Sequence, residues 1–289
     1  MMTDLSVSII IPCFNCESTI DQTIQSILCQ SYPNFSIVCV DDASTDQTLL
    51  KLRSYAYRQI QVLSMPVGSG GPAKPRNLGV RHATSDLVAF CDSDDIWHPD
   101  KLRLQVEAWQ KLMIQFPNLI ISSSRLMFKT YPIQHTQLQE TSVKHLDSSN
   151  LSKRIDELAF LSNPIVTSSV LCKPSTAIHF PESPSLSAVE DYALWLLLKD
   201  NGYVFYSLKL PLVYYRKSLK SISSGNWRQL SRLIVMFRYI YIQRILSKFQ
   251  LYPSKAVDIA ALLMVIPRLT AFIFHHTIKT LILPTPWLH

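Results

Sequence analysis

The sequence predicts an α/β protein with a mostly parallel sheet flanked by helices. Short apolar segments rich in β-branched residues alternate with stretches of about 10 to 15 residues that have helical spacing. This alternation is typical of βαβ units. The apolar content of 47% over 289 residues is sufficient for a packed core.

Strands and helices alternate along the first 115 residues. The predicted strands are Ser6–Ile11, Phe35–Val40, Ile60–Ser64 and Leu87–Cys91. The predicted helices are Glu17–Gln30, Asp46–Tyr57, Pro72–His82 and Pro99–Gln115, the third of them entered through a Gly-rich turn. Beyond residue 116 we expect strands at Leu119–Met127, Pro164–Leu171, Tyr203–Ser207 and Leu212–Arg216, and a helix at Glu190–Lys199.

The net charge of +7 belongs to the C-terminal residues 225–289, which contain eight basic residues and one acid, Asp258. Apolar residues at helical spacing predict a basic amphipathic region there, appended to a domain that spans residues 1–224. Such a helix favours an anionic membrane surface. An ordinary covering helix or a dimer contact would give the same pattern. Nucleic acid is not an expected partner, because the basic residues alternate with long aliphatic ones.

The six cysteines lie mostly in apolar, strand-like stretches, and the single C-x-x-C at Cys13 and Cys16 has no second pair at zinc spacing. Buried free thiols are therefore predicted. Residues 1–6 lack the basic segment of a signal peptide. These observations predict a cytoplasmic protein, peripheral to the inner face of the cytoplasmic membrane if the tail binds lipid.

Three carboxylates follow the fourth predicted strand within four positions: Asp92, Asp94 and Asp95. Crowded carboxylates repel one another, and Mg²⁺ or Mn²⁺ bound by their oxygens relieves that repulsion. An acidic turn without a metal is the alternative. Polar residues also follow the first two strands, at Pro12–Asn15 and Asp41–Asp46. Because ligands bind at the carboxyl ends of parallel strands, we expect the three clusters to line one crevice.

Taken together, six segments resemble glycosyltransferase family 2, whose members have the GT-A fold, of the bacterial type that builds polysaccharide and lipopolysaccharide. The matching segments, in the order of the family, are Val7–Glu17, Val40–Asp46, Gly70–Val80, Phe90–Lys101, Glu190–Leu197 and Val213–Arg216. The resemblance covers about residues 5–220. It implies a nucleotide-sugar-binding half, residues 1–115, and an acceptor half, residues 116–224.

The resemblance implies a nucleotide site in the first half. Pro12 and Phe14 would line the base pocket, with Phe14 stacked on the base. Asp42 would accept a hydrogen bond from the base, for which uracil is suitable, and Asp41 would support it. Arg76 would face the nucleotide or its phosphates, since a guanidinium suits bidentate phosphate contact.

The same resemblance makes the acidic cluster the D-x-D site. Asp92 would contact the ribose, and Asp92, Asp94 and Asp95 are the candidate ligands of Mg²⁺ or Mn²⁺. The sequence does not decide whether Asp94 or Asp95 is the main ligand. The metal would neutralise charge on the departing nucleoside diphosphate.

The acceptor side is implied by Glu190 and Asp191, with Asp191 as the general base that deprotonates an acceptor hydroxyl. An acid that favours the helix dipole is the alternative for Asp191. Trp97, Glu190, Trp195 and Arg216 are candidates for contact with the donor sugar or acceptor, although a core tryptophan is an equal alternative for Trp195.

The implied function is an inverting transfer from a nucleotide-sugar, preferably a UDP-sugar, to a saccharide or lipid-linked saccharide acceptor. One departure from the family is Ser218, at a position where relatives often have a histidine that contacts metal or phosphate. A non-catalytic, membrane-associated subunit that binds nucleotide-sugars and a nucleotidyl transferase are the competing hypotheses.

Overall fold

The computed structural model of the chain describes residues 4–55, 59–128, 151–155, 163–216 and 236. The strands are β1 (Val7–Cys13), β2 (Phe35–Asp41), β3 (Ile60–Ser64), β4 (Leu87–Phe90), β5 (Ile96–Trp97), β6 (Leu119–Phe128), β7 (Leu151–Arg154), β8 (Leu171–Cys172) and β9 (Val204–Arg216). The helices are α1 (Ile20–Leu28), α2 (Thr48–Ser54), α3 (Ala73–His82), α4 (Lys101–Leu112) and α5 (Glu190–Asp200).

These strands form one mixed sheet with the order β3-β2-β1-β4-β8-β6-β9-β5, and β7 pairs with β9 outside this path. The first four strands pair in parallel, as the βαβ pattern predicts. Beyond β4 the pairing changes, since β8 runs antiparallel to both β4 and β6, whereas β6 and β9 are parallel. The parallel part of the sheet brings the ends of β1, β2 and β4 to one edge.

The central strands are apolar because both of their faces are covered. Every residue of β1 and β4 is buried. Ile9 and Ile11 belong to the core cluster that also contains Ile20, Ile24 and Ile27 of α1. Ile10 points to the other face, in a second cluster with residues of α5. Full burial on both faces explains why these strands have continuous apolar sequences rather than alternating ones.

Helix α3 packs very closely against the sheet at Gly79. A Cβ atom at this position would lie 2.4 Å from Cγ2 of Ile10. Glycine is unfavourable inside a helix by roughly 1 kcal/mol relative to alanine. Here the absence of a side chain permits the close approach and fixes the height of α3 above β1.

The second half of the domain differs most from the sequence-based predictions. Residues Tyr203–Ser207 and Leu212–Arg216 lie in one strand, β9, in which the register jumps from Leu208 to Pro211 opposite Ser123 and Ser124. The irregularity accommodates Pro211, which cannot donate to the ladder. The predicted strand Pro164–Leu171 is wrong, because Thr167–Ser169 forms a 3₁₀ turn and pairing begins only at Leu171.

All six cysteines are free, as predicted. Five of them are buried as expected, whereas Cys29 is exposed. No helix in the described ranges is both long and apolar enough to cross a bilayer. The predicted boundary at residue 224 and the basic region 225–289 lie outside the described residues, apart from the buried Met236. They remain predictions.

Candidate active site

The three polar clusters predicted from the sequence lie at one edge of the sheet. Cys13 and Asp41 are register partners at the ends of β1 and β2, and the Asp42 amide donates to the Cys13 carbonyl at 2.8 Å. The Cys91 amide donates to the Ile10 carbonyl at 3.0 Å, which places the end of β4 beside β1. The clusters therefore border a common crevice.

The loop after β1 presents an exposed aromatic ring. Phe14 is 56% exposed, whereas Pro12 is buried within β1. Asn15 has a positive φ of 46° and its Oδ1 accepts a hydrogen bond from the Thr45 amide at 2.8 Å. The Asn15 amide in turn donates to Oγ of Ser44 at 3.0 Å. These reciprocal bonds fix the loop and leave the ring of Phe14 free to stack on a planar ligand.

Both aspartates after β2 are buried, and Asp42 is engaged with the Gly-rich turn. Its Oδ1 accepts from the Ser69 amide at 2.8 Å and its Oδ2 accepts from Oγ of Ser69 at 2.7 Å. Oδ1 of Asp41 is buried without a hydrogen-bond partner among the described residues. A buried carboxylate oxygen without a hydrogen-bond partner is a favourable acceptor for an N–H or O–H group of a ligand.

A small pocket lies between the Gly-rich turn and residues 181–187. Its volume is about 150 Å³, and its lining includes Ser69, Lys74, Ser187 and Glu190. Hydroxyl, ammonium and carboxylate groups of this kind suit a ligand with several hydroxyls. Because Ser69 both lines the pocket and donates hydrogen bonds to Asp42, it connects the two.

Arg76 of α3 joins the acidic cluster to the start of α5. Its Nη2 lies 2.7 Å from Oδ1 of Asp92, and its Nη1 lies 2.9 Å from Oε1 of Glu190. The two carboxylates raise the pKa of Arg76 further above its usual range, against the effect of burial. Burial raises the pKa of Glu190, and the charge of Arg76 opposes that rise. Two acids far apart in the sequence thus share one buried cation.

Asp191 follows Glu190 in the first turn of α5, and neighbouring groups hold its carboxylate. Oδ2 accepts hydrogen bonds from Oγ1 of Thr167 at 3.0 Å and from Nδ2 of Asn163 at 3.2 Å. Burial raises the pKa of Asp191, whereas the charge of Arg76 and the bond from Thr167 oppose the rise. A partly buried carboxylate with a raised pKa fits the requirements of a general base.

Residues 8–159 match the family model described as glycosyl transferase family 2. A glucosyltransferase of Escherichia coli, UDP-Glc:alpha-D-GlcNAc-diphosphoundecaprenol beta-1,3-glucosyltransferase WfgD, is 31% identical over 232 residues, which are 80% of this chain and 85% of the relative. The chain belongs to glycosyl transferase family 2. It is accordingly a glycosyltransferase, as the resemblance implied, and not a nucleotidyl transferase.

Solved structures show that this family 2 chain has the GT-A fold. The crystal structure of S. aureus TarS 1-349 in complex with UDP-GlcNAc aligns with a TM-score of 0.65 and 20% identity over 97% of this chain and 77% of that one. The mannosyltransferase PcManGT from Pyrobaculum calidifontis, in complex with GDP-Man and Mn2+, aligns with a TM-score of 0.55 and 17% identity over 96% of this chain and 87% of that one.

In this glycosyltransferase the three acids after β4 have different environments. Asp95 is completely buried, and its oxygens accept from Oγ of Ser168 at 2.5 Å and from the Arg216 amide at 3.1 Å. Asp94 is partly exposed, and burial together with the charge of Asp92 raises its pKa to about 6. The structure therefore distinguishes Asp94, which is partly exposed, from Asp95, which is buried and supports the loop.

The residues present fit a divalent cation at the D-x-D acids. Among the described residues no group of three or more potential ligands is preassembled. Asp92 and Asp94 nevertheless supply carboxylate oxygens, the donors that Mg²⁺ and Mn²⁺ prefer, and the crowding that raises the pKa of Asp94 is relieved by a positive ion. Magnesium also retains several waters in sites with few protein ligands.

Four residues predicted as ligand contacts have partners within the protein, and their roles toward a ligand stay predictions. Trp97 and Trp195 are both 0% exposed and lie in the core, so neither ring reaches a sugar in this conformation. Arg76 is 4% exposed and is paired with two carboxylates rather than open to phosphate. Arg216 donates from Nε to the Asp94 carbonyl at 2.9 Å and from Nη2 to Gln22, and thus supports the acidic loop.

The sequence-based prediction missed Ser69, Thr167 and Ser168, which contact the candidate acids. The signal for the last two was available, because the polar run Thr167–Ser169 interrupts an otherwise apolar segment. All three residues of that run are buried. Buried hydroxyls require partners, and here two of them find carboxylates.

Proposed function

We propose that this glycosyltransferase inverts the anomeric centre of a UDP-sugar and transfers the sugar to a hydroxyl of a lipid-linked saccharide. The observation that carries the proposal is the bridge from Asp92 through Arg76 to Glu190, with distances of 2.7 and 2.9 Å. Because Asp191 directly follows Glu190, this bridge supports a position of Asp191 near the acids that follow β4. A base next to a diphosphate-binding site is the arrangement that a single displacement requires.

The nature of the donor and acceptor is supported by the E. coli relative, which aligns over 80% of this chain. The E. coli enzyme is named for UDP-glucose as donor, for a GlcNAc-diphosphoundecaprenol acceptor and for a β-1,3 product. UDP-glucose is an α-linked donor, so a β product requires inversion. Surface polysaccharide biosynthesis is the matching role for this chain.

In the proposed mechanism Asp191 takes the proton from the acceptor hydroxyl as that oxygen attacks the anomeric carbon. The bond from the anomeric carbon to the diphosphate oxygen breaks, and its electron pair leaves with UDP. Thr167 and Asn163 both donate to Oδ2 of Asp191, and the Tyr192 amide donates to Oδ1 at 2.6 Å. Each carboxylate oxygen has two lone pairs, so Oδ1 retains one that can accept the proton. Glu190 holds Arg76 in place, and its Oε2, buried and without a described partner, is available to a sugar hydroxyl.

On the nucleotide side Phe14 would stack on the base, and Asp41 and Asp42 would accept its N–H. Asp92 and Asp94 would hold Mg²⁺ or Mn²⁺, which supplies positive charge next to the diphosphate when bound. Residues 1–115 form the donor half in this proposal, and residues 116–224 contribute the acceptor side.

The experiment compares Asp191→Asn with the wild-type chain by measuring UDP release from UDP-glucose and UDP-GlcNAc, with Mn²⁺ and a synthetic GlcNAc-diphospholipid. Loss of the base should reduce kcat by about 100- to 10,000-fold. Because burial raises the pKa of Asp191, wild-type activity should fall on acidification at a higher pH than an ordinary aspartate, near 3.9, would give.

The affinity of the Asn variant for UDP, measured by calorimetry, should match that of the wild-type chain. Near-normal turnover of the variant would remove Asp191 from the mechanism. A wild-type chain that binds UDP but releases none from either donor would instead favour the non-catalytic subunit.

A further inference from the structure

A single buried turn, Thr167–Ser169, lies between the two groups of acids and bonds to both. Oγ1 of Thr167 donates to Oδ2 of Asp191 at 3.0 Å. Oγ of Ser168 donates to Oδ2 of Asp95 at 2.5 Å and accepts from the Asp92 amide at 2.9 Å. Adjacent hydroxyls therefore hold the base on one side and the D-x-D loop on the other.

The other side of this 167–169 turn is anchored to α4 and β5. Nε1 of Trp97 donates to the Ser168 carbonyl at 3.0 Å, and Nε2 of Gln105 donates to the Ser169 carbonyl at 2.6 Å. Oε1 of Gln105 accepts from the buried Lys101 ammonium at 2.8 Å. The turn is thus attached to the core rather than to the surface, and its hydroxyls have little freedom to move.

We propose that Thr167 is a positioning residue for the transfer reaction, whose hydroxyl orients the Asp191 carboxylate toward the acceptor and keeps it ionised. The inference rests on the proposed function, because it assumes that Asp191 is the base. A donor hydrogen bond favours the charged form of a carboxylate. It also fixes Oδ2, while Oδ1, which accepts from the Tyr192 amide at 2.6 Å, keeps one lone pair for the attacking hydroxyl.

The charged groups around Asp191 explain why the neutral hydroxyl of Thr167 affects the ionisation of this carboxylate. Arg76 of α3 favours the carboxylate, whereas Asp92 after β4 disfavours it. Glu190 of the same helix and Asp191 repel each other, which raises the pKa of Glu190 in addition to the effect of its burial. Asn163 adds a longer bond of 3.2 Å from the segment before the turn. Since Arg76 is shared with Asp92 and Glu190, the bond from Thr167 is the short contact directed to Asp191 from a neighbouring element.

The experiment measures UDP release from whichever of UDP-glucose and UDP-GlcNAc the wild-type chain turns over, for Thr167→Val and Thr167→Ser. The valine variant keeps the side-chain shape but lacks the hydroxyl. Hydrogen bonds to charged groups are strong enough that its kcat should fall by about 10- to 100-fold. The KM for the donor should stay within about twofold, since the D-x-D side is unchanged. The acid limb of the pH profile should move to higher pH, and serine should restore kcat to within about threefold of wild type.

Ser169→Ala is the matched control, because its hydroxyl lies in the same turn but donates to the Val166 carbonyl and contacts neither acid. Equal losses in Thr167→Val and Ser169→Ala, or a valine variant with wild-type kcat and pH profile, would overturn the inference. Asp191→Asn, assayed in parallel, separates the two hypotheses. If Asp191→Asn is inactive while Thr167→Val has the kcat and pH profile of wild type, only the role of Thr167 is refuted. If Asp191→Asn is active, the proposed function itself is refuted.

Discussion

Arg76 is the residue on which the geometry of the site depends. Its side chain is 5% exposed and lies between the carboxylates of Asp92 and Glu190, with its Cζ 5.1 Å from the ring centroid of Phe180. A buried ion pair is not in itself strong evidence of stability, since desolvation offsets much of the attraction. Removal of one partner is costly, however, because the other charge is left buried.

Arg76→Ala should therefore lower the free energy of unfolding by about 3 to 5 kcal/mol, as Glu190 would remain buried without its cation. Urea denaturation followed by circular dichroism measures this change. Arg81→Ala is the matched control on the same helix, where the side chain is exposed, and its effect should stay within about 0.5 kcal/mol. Similar values for the two variants would contradict the structural role assigned to Arg76.

The acids themselves were predictable from the sequence, whereas their partners were not. Asp42, Asp92 and Asp191 stand at strand and helix ends, which local patterns identify. Whether Arg76 faces phosphate or carboxylate depends on residues more than a hundred positions away, such as Glu190. Likewise, a tryptophan at position 97 or 195 has the same local sequence signal in a core as in a sugar site.

At the scale of elements, α4 supports the site through a buried lysine. The Lys101 ammonium is 0% exposed and lies 3.5 Å from the ring centroid of Trp97. Burial lowers its pKa to about 7. In the unfolded chain a lysine titrates near 10.4. Between these values the unfolded state binds one more proton, so the free energy of unfolding should rise with pH from 7 toward 10.

Lys101→Met removes this pH dependence. The free energy of unfolding of the variant should exceed that of wild type by the largest amount near pH 6. That advantage should shrink by about 2 kcal/mol between pH 7 and 9, since one pKa unit corresponds to about 1.4 kcal/mol. Denaturation curves at several pH values provide the measurement. Lys111→Met, at an exposed position of the same helix, should change stability equally at every pH. If the difference in the free energy of unfolding between Lys101→Met and wild type is independent of pH, Lys101 does not titrate in this pH range.

Helices and strands with strong hydrophobic periodicity were predicted well, whereas strands that depend on pairing with distant strands were not. The strand Ile60–Ser64 has the predicted bounds, and the four early helices differ only at their ends. The strands β5, β7 and β8 are short, so their sequences carry little signal of their own. The single strand β9 was predicted as two strands, and the irregular register opposite β6 at Pro211 lies between them.

For the whole molecule, the uneven charge predicts how the enzyme would reach the lipid-linked acceptor proposed above. The first 224 residues are formally neutral, while residues 225–289 carry the net charge of +7. Juxtaposed basic residues contribute about 1 kcal/mol each to binding of an anionic surface. We therefore propose that this region holds the catalytic domain at the membrane.

The full chain should cosediment with vesicles that contain phosphatidylglycerol and not with vesicles of phosphatidylcholine alone. Glutamine substitution of four basic residues should abolish this binding: Arg232, Arg238, Arg244 and Lys248. The control replaces four exposed basic residues of the domain, Arg53, Arg81, Lys111 and Lys173, and should bind as wild type does. Equal sedimentation with both kinds of vesicle would argue against an electrostatic contact.

The close approach of Gly79 to Ile10 has a practical consequence for redesign. Helix α3 is seated at a fixed height on the sheet, and it carries Arg76, so repacking it would displace Arg76 from the two carboxylates that it joins. The segment 182–185, in contrast, is exposed and borders the small pocket. Libraries intended to exchange one sugar for another should vary that rim and leave the helix with its native sequence.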